Sequence, residues 1–88
     1  MAVALQDIEH ALRDALSPLY LDVRDDSHLH AGHAGALQGR HFSVDVVATA
    51  FNGLSRVRRH RLVYDAVARL MPQGIHALAI DARSPDET

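Results

Sequence analysis

The 88-residue chain carries nine Arg, no Lys, eleven acidic residues and seven His, for a formal net charge of -2, and it contains neither Cys nor Trp. A chain of this length buries only about 60% of its unfolded surface, which leaves room for one domain with a modest core. Without Cys it forms no disulfide, zinc ribbon or thiol redox centre and cannot hold an iron–sulfur cluster on thiolates of its own, so any metal must be bound by imidazole.

In chain order, Leu5, Ile8, Leu12 and Ala15/Leu16 recur at helical spacing with Asp7, Glu9, Arg13 and Asp14 opposite, which predicts an amphipathic helix over 4–16. Ser17-Pro18 ends it. Residues 19–24 alternate, with Leu19, Leu21 and Val23 on one face of a half-buried strand. Phe42, Val44 and Val46 against His41, Ser43 and Asp45 predict a second strand. Between them, residues 25–40 are polar and contain three Gly, much longer than a hairpin loop of about 2–5 residues and so a functional suspect. Gly53 marks a turn and Ser55 a helix N-cap, after which Val63, Ala66, Val67 and Leu70 line a helix running to about residue 70. Met71-Pro72-Gln73-Gly74 stops that helix, and a strand over 75–82 precedes a polar tail, 83–88, expected to fray. The order is α-β-β-(turn or short α)-α-β. It predicts one α+β domain over 1–88, with the helices packed on one face of a three-stranded sheet. No apolar run approaches the roughly 20 residues that span a bilayer, and Met1 to Asp7 has no basic leader region. A soluble, cytoplasmic protein with no membrane partner is expected.

Two constellations bear on chemistry. The first is Asp25-Asp26-Ser27-His28-Leu29-His30-Ala31-Gly32-His33, three imidazoles within six residues on a backbone free to bend. Neutral imidazole suits zinc, copper, nickel and iron, and Asp25 and Asp26 are candidates to orient it. Composition alone reads the stretch first as a solvated loop with a strand-ending turn. His76 opens the last strand with the parity of Leu78 and Ile80, at the rim of the core-facing side. The second constellation is Arg56, Arg58, Arg59 and Arg61, four guanidiniums within six residues at a helix start. Arg58, Arg61, Asp65 and Arg69 share a face, and the Arg61–Asp65 and Asp65–Arg69 spacings favour a self-paired, solvated surface. The alternative is a local phosphate grip. His10 and His41 read as structural. Ser27 lacks the strained Gly-x-Ser-x-Gly turn of a nucleophile, and so short a chain encloses little substrate, so neither an enzyme nor a small-molecule substrate is expected.

Residues 23–33, His41-Phe42-Ser43-Val44, Phe51-Asn52-Gly53-Leu54-Ser55, Arg59-His60-Arg61-Leu62-Val63-Tyr64 and Ile75-His76-Ala77-Leu78-Ala79-Ile80 resemble, in order and over nearly the whole chain, the signatures of the BolA family. The resemblance implies a class II KH-like fold. It further implies pairing with a monothiol glutaredoxin carrying a CGFS site and a shared 2Fe–2S cluster used in iron–sulfur assembly, trafficking or iron sensing. On the family pattern the cluster ligands fall on His76 and on His30, with His33 as rival, while the glutaredoxin and glutathione supply thiolates. No cofactor is expected in the isolated chain. The family also implies an alternative, a DNA-binding transcriptional regulator of stress and morphology genes, for which Arg56, Arg58, Arg59 and Arg61 are the contact candidates. Gly53-Leu54-Ser55-Arg56 lacks the second Gly of a KH GXXG loop, so KH-style RNA binding is not carried over.

Overall fold

A computed structural model describes residues 3–26 and 40–87. The first helix, α1 (Leu5–Leu16), buries Ile8, Ala11, Leu12 and Leu16, one stripe at the expected spacing. Ala15, expected on the stripe, is exposed, and Ala11 takes its place. At the N-terminus the Asp7 carboxylate accepts from the Ala4 N–H at 2.9 Å, which satisfies a free amide and places negative charge in the first turn. At the C-terminus Ser17 adopts a left-handed conformation (φ 45°) and its N–H donates to the Arg13 carbonyl at 3.1 Å, before Pro18 turns the chain away.

The sheet has three strands in the order β1 (Tyr20–Asp25), β2 (Arg40–Val47), β3 (Ile75–Arg83). The β1–β2 pair is antiparallel and the β2–β3 pair parallel. Phe42, Val44 and Val46 stand in the middle of the inner face, each 1% exposed, with Val23 beside them on β1 and Leu78 on β3. Both long helices cover this face, α1 against β1 and α2 (Arg56–Ala66) against β3, with α1 touching α2. The expected α+β layer is the observed one. Val3, Phe51, Val63 and Val67 complete a single core among the described residues.

Three further expectations differ. Leu19 lies ahead of β1 and is 68% exposed; its N–H bonds to the Val47 carbonyl at 2.8 Å, outside the strand register, so the alternation through Leu21 and Val23 does not extend to it. The second long helix keeps α geometry only to Ala66, and residues 68–73 follow as 3-10 helix. Pro72 explains the change: an α-helix carried through it would lose the bond to the Ala68 carbonyl and crowd the Pro ring against that same group. The stripe survives the switch, because Val63, Val67 and Leu70 all remain buried. Gly74 then turns the chain into β3 with φ 139°, a conformation that disfavours any side chain. Toward the C-terminus, Arg83 closes β3, Ser84 is buried and Pro85–Glu87 form a 3-10 turn, so residues 83–87 of the tail expected to fray over 83–88 are ordered, and Thr88 lies outside the described residues. No helix among the described residues is long and apolar enough to cross a membrane.

Leu12→Ala should destabilise the fold by about 2–5 kcal/mol in urea unfolding, since Leu12 is fully buried between α1 and the sheet. The same truncation at Leu19 should change stability by no more than about 0.5 kcal/mol.

Candidate functional site

His76 and the arginines of α2 fall at opposite ends of β3. At its start, Arg40 pairs with Ile75 but His41 pairs with Ala77, so the register shifts at His76. Ile75 and Leu78 are both buried, three positions apart, which a regular strand does not allow. The parity that grouped His76 with Leu78 and Ile80 therefore does not carry back across the shift; His76 sits at a β-bulge, where the ladder is locally broken. Parallel pairing also sets the backbone of Ile75 and His76 beside Arg40, where segment 27–39 rejoins the sheet. His28, His30 and His33, and with them the second ligand position and any metal site confined to that segment, lie outside the described residues. Among the described residues no three His, Asp or Glu side chains converge to hold a metal ion.

The other end of the segment is anchored. Asp26 donates its N–H to the His41 carbonyl at 2.8 Å, and its carboxylate accepts a hydrogen bond from the Ser43 hydroxyl. Asp26 thus terminates the β1–β2 ladder, the strand-end role expected of it; the imidazoles it was a candidate to orient lie outside the described residues. Asp25 pairs with Phe42 in the ladder itself. The chain's donor chemistry, imidazole without thiolate, fits one half of a cluster whose other half is held by thiolates.

At the far end, α2 begins with Ser55, whose hydroxyl accepts from the Arg58 N–H at 3.3 Å. The preceding turn needs Gly53 at φ 74°. The four guanidiniums separate into two roles. Arg59 folds inward: its Nε donates to the Leu54 carbonyl at 2.9 Å and its Nη1 to the Ala82 carbonyl at 3.3 Å, tying the start of α2 to the end of β3. Arg56, Arg58 and Arg61 are exposed, and none forms an ion pair among the described residues. The Arg61–Asp65 and Asp65–Arg69 pairs anticipated from helical spacing are not formed.

A groove of about 660 Å3 runs between the start of α2 and the end of β3, lined by Arg56, Arg59 and His60 on one wall and Asp81, Ala82 and Arg83 on the other. Within it Asp81 is occupied by Arg83 through two hydrogen bonds of 3.0 and 2.8 Å, so the surplus charge is positive. Nothing local in the sequence joins His60 and Arg83 as members of a shared site, because the groove exists only once the crossover helix returns β3 to the sheet. Tyr64, further along α2, donates its hydroxyl to the Leu78 carbonyl at 3.2 Å.

A profile of BolA-like proteins matches residues 12–87. Among curated proteins, the chain is 42% identical over 87 residues to the SufE-like protein 1, chloroplastic/mitochondrial, of Arabidopsis thaliana, covering 91% of this chain and 23% of that protein. It is 38% identical over 73 residues to the Escherichia coli DNA-binding transcriptional regulator BolA, covering 83% and 68%. Among solved structures, the BolA domain of SufE1 from A. thaliana superposes with a TM-score of 0.85 at 40% identity, covering 99% of this chain and all of that one. The chain thus spans under a quarter of the length of the plant relative and corresponds to one domain of it.

The division among the arginines predicts unequal stability effects. Arg59→Ala should cost about 1–2 kcal/mol in urea unfolding by removing both hydrogen bonds to main-chain carbonyls, while Arg58→Ala should stay within about 0.5 kcal/mol.

Proposed function

Because the chain belongs to the BolA-like family, we propose that it pairs with a monothiol glutaredoxin and holds a 2Fe–2S cluster jointly with it, in iron–sulfur assembly, trafficking or iron sensing. His76 and His30, with His33 as rival, are this chain's ligands, and the glutaredoxin and glutathione contribute thiolates. The supporting observation is the register of β2 and β3, which sets the bulge at His76 beside the point where the imidazole-bearing segment 27–39 enters the sheet. When bound, the cluster supplies electron or iron–sulfur transfer. The chain's own residues do the holding: neutral imidazole nitrogens offer lone pairs, and the bulge gives His76 a position outside the regular ladder. The absence of Cys makes a thiolate-bearing partner a requirement. The chemistry is binding and transfer, without turnover of a small-molecule substrate.

Mixing this protein with a CGFS glutaredoxin, iron, sulfide and glutathione should give a visible circular dichroism spectrum distinct from that of the glutaredoxin alone. His76→Ala and His30→Ala should each abolish the difference. An unchanged heterocomplex spectrum in both variants would falsify the ligand assignment.

A second reading, a DNA-binding regulator, is favoured by Arg56, Arg58 and Arg61, which are exposed and form no ion pair among the described residues, beside a cationic groove, and by the name of the E. coli relative. Arg59, engaged with two carbonyls, positions α2 in this reading instead of contacting phosphate. Duplex affinity should fall steeply with salt. The Arg58→Ala, Arg61→Ala double variant should flatten the plot of log K against log salt by about 0.9 for each phosphate that the protein no longer neutralises; an identical slope removes this patch from consideration.

A further inference from the structure

The two edges of the sheet are treated differently. On β3 the Leu78 and Ala82 carbonyls accept from Tyr64 and Arg59 of α2, which obstructs that edge to any added strand. No described element pairs with the outer edge of β1. The Asp26 N–H to His41 carbonyl bond fixes the alternation of the β1–β2 ladder: 24–43, 22–45 and 20–47 are the pairs that exchange hydrogen bonds, so Leu21 and Val23 direct their backbone N–H and C=O groups to the open edge.

The charges on the outer face end at this same edge. Asp22 lies opposite Asp45, and Asp45 opposite Asp81, giving a row of three carboxylates across the sheet. Directly opposed like charges destabilise a sheet. Two guanidiniums offset them. Arg83 is committed to Asp81, and Arg24 donates to Asp45 at 2.9 Å and also to Asp22. The hydrogen bond it donates to Asp45, then the one it donates to Asp22, raises the Arg24 pKa above its ordinary value. The row terminates at Asp22 with one shared cation beside it.

We propose that β1 is a homodimerisation edge and that a second copy of this chain pairs with it, antiparallel and centred on Val23, to form a continuous six-stranded sheet. The two-fold operation makes this contact isologous. In this register the Val23 backbones bond to each other. Asp22 of each copy then faces Arg24 of the other, so each three-carboxylate row is continued by a guanidinium. Shifting the centre by one residue sets Asp22 against Asp22 or Arg24 against Arg24. Charge therefore favours the Val23-centred register over its two neighbours, and the same strand as occupant. β3, which carries His76 and one wall of the α2 groove, is the strand farthest from this contact in each copy.

Sedimentation equilibrium of the full chain from micromolar to millimolar concentration at low salt should show conversion of the 9.6 kDa monomer to a species of twice that mass, weakening as salt rises. Asp22→Arg and Arg24→Asp should each weaken self-association at least tenfold. An equimolar mixture of the two single variants should recover dimer, because each copy then presents only opposite charges to the other. Far-ultraviolet circular dichroism and urea unfolding establish that each variant is folded. Should a single variant fail to fold, the Asp22→Arg, Arg24→Asp exchange within one chain serves instead and should dimerise like the parent. A parent that stays monomeric at millimolar concentration, or folded variants that dimerise alone as well as they do mixed, would overturn the proposal.

Discussion

The parallel pairing of β2 with β3 is the constraint on which the rest of the molecule depends. Parallel neighbours cannot be joined by a tight turn, so the chain between Val47 and Ile75 must cross the inner face of the sheet, and α2 is that crossing. Its buried stripe, Val63 and Val67 continued by Leu70, lies over the strand it has just delivered. The same geometry sets the start of β3 beside the start of β2 and the end of β3 beside the start of α2. The two candidate sites are consequences of one topological requirement: His76 beside the entry of segment 27–39, and the arginines of α2 beside Arg83.

Polar contacts then divide the surface into engaged and open regions. Arg59 and Tyr64 reach from α2 to carbonyls of β3, fastening the crossover helix and closing one sheet edge with two side chains. Asp26 and Ser43 close the β1–β2 ladder where segment 27–39 departs. Arg56, Arg58 and Arg61 are left facing solvent. The cationic character of this region therefore belongs to a few side chains and a groove, within a chain whose overall charge is slightly negative.

The elements most legible in the sequence are those whose burial repeats locally. The stripe of α1 and the alternation of Phe42, Val44 and Val46 identify their own structures and faces. Leu19 is less legible, since an apolar residue just outside a strand continues the pattern without continuing the ladder. Periodicity overestimates the extent of α2 because the stripe persists through the 3-10 turn that Pro72 imposes. His76 shows the limit of parity: a bulge inserts one residue, and no alternation rule reveals it. Among the arginines, helical spacing groups Arg58, Arg61, Asp65 and Arg69, but the ion pairs suggested by that spacing do not form, and the inward role of Arg59 depends on a carbonyl twenty-three residues away.

The sequence by itself determined the fold class, the inner faces of α1 and β2, the Ser55 cap and the supply of donors: imidazole and guanidinium, with no thiolate. These depend on periodicities of two or about 3.6 residues and on composition, all carried within a short stretch of chain. Tertiary structure alone decided strand order, the bulge at His76, the separation of Arg59 from its neighbours, the cationic groove and the alignment of Asp22, Asp45 and Asp81. Each of these arises where residues distant in sequence meet across a ladder or a crossover, and the register that brings them together is set by burial of the whole inner face.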